Sequence, residues 1–481
     1  CIRDRLSPSW WSKVIEITND NPNAAYFVIQ RSKVFIDSVT KYFLRQTGYP
    51  DEWPELMLYI NDLLFEKPDL VSHSKTDLTK MRLRTYEQIV HTAYKLFVDQ
   101  VLNYLRNRDL YGQPKGTDIK AEQFLTILLS GYRGLRLVEN ANPLEEIVIR
   151  NKLDYRGYEG LSEEAATLDN RYLHETYKGV IDPVDTPEGQ NIGVVNTAAN
   201  GFTVLTREGL LVRPPVDKLK GRLFGPTISL VPFANRNEAS RLLMSSSQLK
   251  QAVLINGIQS PAIMTGYERI IEALSSSAHR ILSPCDGVVV DVRRVEQGQQ
   301  VSIRCETTGK LETVTIPDFY VGRSGQGKHT YYGFDVIVKP GDKIRKDQTI
   351  ARSHWFDSLG NYRYGRNVLA VLGNFRGFTY EDGIVVSEEL VPHLTSRHIE
   401  VYKCYLTPED KLLYFGINSI GQKVESGETL ITVDSKQFFD YLDSELFENT
   451  EVVVEESGYR IVSHVTGVVR YVKVFVSQRR V

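Results

Sequence analysis

The chain has 481 residues, enough for about two to five domains. Its 42% hydrophobic and 25% charged content is that of an ordinary cored protein, and no apolar run approaches the roughly 18 residues that span a bilayer. The formal net charge of -2 argues against a chain that binds nucleic acid through bulk charge. A basic stretch nevertheless stands out: Arg323, Lys328, Lys339, Lys343, Arg345, Lys346, Arg352, Arg363, Arg366 and Arg376, against an acidic 51–66. Such a local surface suits a subunit that shares a channel with other chains.

Residues 1–135 read as mostly helical. Thr85–Arg106 carries Ile89, Ala93, Phe97, Val101 and Tyr104 on one helical face. From about residue 176, short β-branched runs alternate with Gly and Pro turns, which predicts strands. A helix returns near Asn237–Gln251, with Asn235 or Asn237 as its cap. Residues 281–352 read as a small β-barrel built on Gly287-Val288-Val289-Val290 and Val336-Ile337-Val338 around the turn Pro340-Gly341-Asp342-Lys343. Residues 415–475 repeat that grammar in Gly421-Gln422-Lys423-Val424-Glu425-Ser426-Gly427-Glu428-Thr429-Leu430. The cysteines, Cys1, Cys285, Cys305 and Cys404, form no C-x-x-C pair, so scattered buried thiols are expected rather than a zinc site or a disulfide framework.

Three segments carry chemistry. In Gly377-Phe378-Thr379-Tyr380-Glu381-Asp382-Gly383, adjacent carboxylates repel unless a cation, basic residues or water lie near. The alternation of Phe378 and Tyr380 with Thr379 predicts a strand end that presents the acids, and a nucleotide-borne Mg²⁺ would be a fitting cation. In Asp185-Thr186-Pro187-Glu188-Gly189-Gln190-Asn191-Ile192-Gly193, Pro187 fixes φ while Gly189 and Gly193 permit positive φ or close backbone approach. Such a loop can turn backbone N–H groups toward a phosphate or base. On the 237–251 helix, Arg241, Met244 and Gln248 share a face, as do Ser247 and Gln251, and an arginine so placed can clamp a phosphate.

Together and in this order, these segments resemble the β subunit of multi-subunit RNA polymerase. The D-T-P-E-G-Q-N-I-G loop is similar to the family's fork loop. Ser229-Leu230-Val231-Pro232-Phe233, the 238–244 stretch and Lys250-Gln251-Ala252-Val253 are similar to the helix that approaches the incoming nucleotide. Thr265-Gly266-Tyr267-Glu268-Arg269 matches the family's T-G-x-E-R, and 377–388 its acid-bearing strand. Asn142–Ile147 resembles the rifamycin-pocket segment, and Val472–Phe475 with Arg479-Arg480-Val481 the strand before the family's lysine-bearing loop.

The resemblance implies a mixed α+β, multidomain fold. A helical protrusion- or lobe-like 1–135 would precede the rifamycin and fork region with its nucleotide-facing helix at 136–255. A hybrid barrel at 256–355, an active-site strand region at 356–405, a reduced flap at 406–471 and an outgoing strand at 472–481 would follow. Glu381 and Asp382 would sit beside the second Mg²⁺ through water, the primary ion being held by a partner β′-type subunit, with no zinc in this chain. Arg241 would contact the triphosphate; Pro187, Glu188, Gly189 and Asn191 would shape the fork; Met244, Ser247 and Gln251 would flank the RNA end and template. The rifamycin-pocket equivalents would be Glu139, Asn142, Ile149, Lys152 and Asp154, and Ile149 and Asp154, which replace the family's His and Ser, imply drug resistance.

The implied activity is DNA-directed RNA synthesis in an assembled complex, the isolated chain being inactive. Implied partners are the C-terminal part of β on a separate chain, β′-type subunits, a promoter-specificity factor, DNA template, RNA product and ribonucleoside triphosphates, with no membrane. A split β of this kind resembles those of giant bacteriophages, which implies the infected bacterial cytoplasm or the virion. Two other readings compete. One is a biotin- or lipoyl-type carrier, from the "V-K-P-G-D-K-I" pattern; Lys310 and Lys328 lack the neighbours a carrier lysine has. The other is a non-catalytic polymerase-like subunit.

Overall fold

The computed structural model describes residues 38–46, 48–65, 137–156, 166–202, 222–295, 298–323, 329–404, 410–434, 452–455 and 458–474, with short stretches near 76–83 and 97–101. The chain divides into two compact units, one of residues 1–138, 144–251 and 262–274, the other of 139–143, 252–261 and 275–481.

In the first unit, α1 (Ser38–Gln46) and α2 (Trp53–Phe65) are helical as expected. Most of the helix expected at Thr85–Arg106 lies outside the described residues. α3 (Pro143–Arg150) opens on proline, carries Glu145 and Glu146 in its first turn and ends on Arg150, so its charges oppose the helix dipole. It buries Leu144, Ile147 and Val148 completely or nearly so. The chain then reverses into β1 (Lys152–Asp154), antiparallel to β2 (Val195–Thr197), with Asp154 opposite Val195. The short α4 (Pro226–Ser229) has proline in its first turn. α5 spans Ala239–Lys250, two residues inside the expected start, because Asn237 spends its side-chain oxygen on the Glu238 N–H and leaves Glu238 at the cap position. In the Thr265–Arg269 motif, the buried Glu268 carboxylate accepts the N–H groups of Thr265 and Gly266 at 3.1 and 2.8 Å and so starts α6 (Glu268–Leu274). That motif closes a helix end here.

The second unit is built of small antiparallel sheets. β4 (Gly287–Val295), β5 (Gly298–Cys305) and β6 (Leu311–Pro317) form a meander with β10 (Lys343–Ile344) on its edge. β11 (Thr349–Ser353) lies between β3 (Arg280–Leu282) and β9 (Phe334–Val336). Tyr332, Trp355, Phe356 and Tyr362 fill its core, all at most 1% exposed. The two tyrosine hydroxyls are paired, as burial requires: Tyr332 shares its proton between the carbonyls of Asn140 and Ala278, and Tyr362 donates to Asn142 Oδ1 at 2.7 Å, whereas Trp355 Nε1 has no partner among the described residues.

The repeated grammar folds into the same hydrogen-bonded unit twice. β14 (Lys423–Val424) pairs with β18 (Gly467–Val468) as β10 pairs with β4: Val424 faces Gly467 as Ile344 faces Gly287. Ser283 N–H donates to Gln348 O, and Ser463 N–H to Glu428 O. The two serine hydroxyls donate to the carbonyl two residues on, Cys285 and Val465, both at 2.7 Å. Gly341 and Gly421 open the turns at φ 95° and 93°, where only glycine is unstrained. β15 (Thr429–Asp434) repeats the bulge of β11, at Thr429/Ile431 against Thr349/Ala351. The halves occur in opposite chain order. In the first unit of the repeat the serine half precedes the glycine-turn half; in the second it follows. The two copies are therefore related by circular permutation.

Three expectations are corrected. Cys285 and Cys305 are joined in a disulfide, because the β4–β5 hairpin brings residues 20 apart in sequence to a Cα separation of 5.8 Å. Residues 472–474 form no strand, and 475–481 lie outside the described residues. The basic stretch is not one surface: Arg352 is 8% exposed and donates to the carbonyls of Asp357 and Ser358, while Arg363 and Arg366 donate to those of His354 and Gly257. Lys339, Lys343, Arg345, Lys346 and Arg376 are exposed.

Candidate functional site

The loop expected to shape a fork begins on a buried carboxylate. Asp185, 1% exposed, accepts hydrogen bonds from Thr227 Oγ1 on α4 at 2.8 Å and from Ser246 Oγ and Lys250 Nζ on α5, both at 2.9 Å. Burial alone would raise its pKa, but the Lys250 charge and the three donors outweigh that and hold it below the usual carboxylate range. Three residues earlier, Asp182 accepts the N–H groups of Val184, Asp185 and Gly225. Among the described residues no cation faces it, and burial pushes it up to about 6 against the pull of those donors.

Beyond Asp185, Thr186 Oγ1 donates to Val195 O at 2.8 Å and accepts Gly193 N–H at 2.9 Å, which ties the two ends of the loop together. Gly189 and Gly193 both have positive φ, 84° and 70°. Of the two, Gly193 also makes a close backbone approach, where an added Cβ would lie 2.7 Å from Arg171 O. Arg171 in turn donates to the carbonyls of Gln190 and Ile192. Asn191 accepts from Arg156 Nη1 at 2.8 Å. Glu188, Gly189 and Gln190 are left exposed at the tip, while Pro187 and Asn191 are half-buried. The loop is thus preorganised, with its tip directed to solvent.

α5 shows two faces. Leu242 and Ser246 are buried and Lys250 is partly so, the i, i+4 stripe that meets the body of the unit. Arg241, Met244, Gln248 and Gln251 are exposed and Ser247 is half-buried. Among the described residues Arg241 makes one weak side-chain contact, to Met244 Sδ at 3.7 Å, and no carboxylate lies within ion-pair distance of it. The expected outward row is therefore present, on a helix held from beneath.

Of the five positions expected to correspond to a rifamycin pocket, Ile149, Lys152 and Asp154 belong to the first unit and Glu139 and Asn142 to the second. Asn142 is 3% exposed and its side chain hydrogen-bonds to Tyr362 and Ala252 within the core. Lys152 lies 3.8 Å from Glu145.

Glu381 and Asp382 are both exposed, in the second unit. The strand end expected for them is instead a pair of turns. The backbone is left-handed at Arg376, Gly377 and Glu381 (φ 52°, 81° and 52°), which breaks the alternation. Thr379 Oγ1 closes the first turn by accepting Phe375 N–H and donating to Gly373 O. Two adjacent carboxylates offer part of a hard-cation ligand set. Among the described residues no group of three or more His, Cys, Asp or Glu gathers to complete one. The fit is to a cation whose remaining ligands come from elsewhere.

The buried partners of Asp185, and the arginines 156 and 171 that brace the loop, escaped reading from sequence. The Leu242/Ser246/Lys250 spacing was the available signal, since a serine and a lysine on an inward stripe need an acceptor.

Comparison with known proteins bears on these same segments. Residues 136–204, which include the loop, match the family model "RNA polymerase Rpb2, domain 3", and residues 30–164 match "Bacteriophage RNA polymerase". The chain is similar to the DNA-directed RNA polymerase subunit beta of Ehrlichia ruminantium (24% identical, 77% of this chain, 34% of the relative) and of Aquifex aeolicus (27%, 73% and 28%). It is likewise similar to that of Syntrophus aciditrophicus (24%, 87% and 37%). The chain spans about a third of the length of these relatives. The motifs, the family model and these relatives agree, and the chain is a homologue of the β subunit of multi-subunit DNA-directed RNA polymerase.

Proposed function

We propose that the chain forms one wall of the catalytic cleft of a DNA-directed RNA polymerase, where it positions the incoming ribonucleotide and the parting strands. The observation that carries this reading is the outward row of Arg241, Met244 and Gln251 on a helix anchored from its opposite face, in the same unit as the braced loop 186–193. Arg241, free of any carboxylate among the described residues, offers a planar donor fork to a triphosphate. Met244, Ser247 and Gln251 supply apolar and amide surface for the RNA end and the template. Pro187, Glu188, Gly189 and Asn191 form a stiff projection suited to separating strands.

Glu381 and Asp382 add negative charge where a nucleotide arrives with its counter-ion. Mg²⁺, when bound, would neutralise the developing charge on the leaving phosphates. The exposed acids would hold it through water, since they gather too few ligands to bind it alone. The primary ion belongs to a β′-type partner in this proposal. The further partners are the remaining β-type sequence, a promoter-specificity factor, DNA and RNA, and the isolated chain is inactive. The match to the bacteriophage polymerase model supports a phage enzyme, at work in the infected bacterial cytoplasm or carried in the virion.

The decisive experiment is Arg241→Ala in the assembled enzyme. An increase in the apparent KM for nucleotides of about tenfold or more is expected, the loss of a charge-assisted contact of roughly 1.5–3 kcal/mol. Unchanged nucleotide affinity and elongation rate would instead support the non-catalytic reading.

A further inference from the structure

The loop and the nucleotide-facing helix share one anchor. Ser246 and Lys250 stand four residues apart on the inward face of α5, about 6 Å along its axis. Both donate to the same oxygen of Asp185, at 2.9 Å, while Thr227 of α4 holds the other oxygen at 2.8 Å. A helix held at two points a turn apart can neither roll nor slide without breaking a buried charge-assisted bond. Turning it by one residue step, about 100°, would carry Arg241 off the exposed face. The anchor is one peptide bond from Thr186, whose hydroxyl closes the loop.

We propose that Asp185 is a positioning residue, which fixes the roll of α5 and so the aim of Arg241 relative to loop 186–193. The proposal rests on the reading of α5 as the nucleotide-facing helix, and its test separates the two.

Nucleotide titrations on a primed template, with the assembled polymerase, would compare Arg241→Ala, Asp185→Asn, Thr227→Val, Lys250→Met and the doubles Asp185→Asn/Arg241→Ala and Asp185→Asn/Lys250→Met. Asp185→Asn should raise the apparent KM by about tenfold, with kcat moved less. Combined with Arg241→Ala it should add little to the effect of Arg241→Ala alone, because a misaimed side chain and a missing one lose the same contact. Asp185→Asn/Lys250→Met should recover part of the loss, since it also removes the partly buried charge that faced the carboxylate. A merely structural carboxylate would lower assembly and melting temperature but leave KM intact and add independently to Arg241→Ala. If Arg241→Ala raises KM while Asp185→Asn, fully assembled, does not, the inference fails and the functional reading stands. If Arg241→Ala itself changes nothing, the functional reading fails and the inference with it. Should Asp185→Asn not assemble, Thr227→Val decides, as it removes one neutral bond: a KM increase of at least about twofold supports the anchor, and an unchanged KM overturns it.

Discussion

Arg156 grips Asp154 through both ends of its guanidinium, Nε to Oδ1 and Nη2 to Oδ2, each at 3.1 Å, and with its remaining Nη1 reaches Asn191. Asp154, expected from the resemblance at a rifamycin-pocket position, is therefore not an uncompensated carboxylate. Both side chains are 16% exposed, so the pair is largely desolvated. An apolar drug seated there would have to break a charged fork rather than neutralise a lone acid. The expected outcome is that the assembled enzyme keeps transcribing at rifamycin concentrations that stop a sensitive bacterial polymerase. Asp154→Ala should cost about 1–3 kcal/mol of stability, because it removes the carboxylate that the largely desolvated Arg156 grips. It should also speed amide exchange in residues 188–192, which hydrogen–deuterium exchange of the full chain would detect.

Asp182 and Asp185 should give opposite pH responses in separate windows. Asp182, raised from 3.8 to about 6, binds its proton more tightly folded than unfolded. Its contribution is fully present below about pH 4 and is lost as pH rises toward 6, a fall of up to about 3 kcal/mol. Asp185, held below its usual range, contributes above pH 4 and loses that contribution only under stronger acid. Denaturant unfolding of the full chain between pH 4 and 7 should show a stability slope that Asp182→Asn flattens. An unchanged slope in that variant would assign the titration to another group.

The two glycines of the loop should not be equivalent. Gly189 sits at φ 84° with nothing within 4 Å of an added Cβ, so Gly189→Ala should cost about 1 kcal/mol of backbone strain. Gly193, at φ 70°, would also drive that carbon to 2.7 Å from the Arg171 carbonyl and 3.0 Å from its Cα. Gly193→Ala should therefore cost at least about 1 kcal/mol more and displace the Arg171 brace, which differential thermal melting of the two variants would measure. Equal melting temperatures would mean that Arg171 yields freely.

What could be read from sequence follows from the range of the interactions concerned. The two faces of α5 are set by residues three and four apart, so the outward placing of Arg241, Met244 and Gln251 was legible. The repeat of Gly341–Ile350 in Gly421–Leu430 was legible too, since a turn and its strand are local. Its circular permutation was not, because the partner halves at Ser283 and Ser463 match only in Ser, Gly and Val and lie on opposite sides of the glycine turns. Asp185 was read only as the first letter of a loop, because its partners Thr227, Ser246 and Lys250 lie 42, 61 and 65 residues away. The acids Glu381 and Asp382 stand out in the sequence as a motif, but the alternation before them points to a strand rather than to turns. Left-handed backbone at the non-glycine residues Arg376 and Glu381 has no sequence signal.

The Cys285–Cys305 bond is the correction with the most direct chemical test. The two cysteines close a loop of 20 residues at the base of the β4–β5 hairpin, where Gly287 faces Cys305. In the chain-entropy account a loop of this length is worth about 3 kcal/mol. Peptide mapping of the unreduced chain should return 285 and 305 as one crosslinked fragment. Cys285→Ser/Cys305→Ser should melt lower, by several degrees, than the oxidised chain. Reductant should lower the melting point of the parent chain but not that of the double variant. Cys404 offers an internal control: it is half-buried beside the Tyr459 hydroxyl and burial pushes its thiol up, so Cys404→Ser should leave the reductant response unchanged. A parent chain whose melting ignores reductant, with free thiols at 285 and 305, would return these residues to the buried thiols that their spacing first suggests.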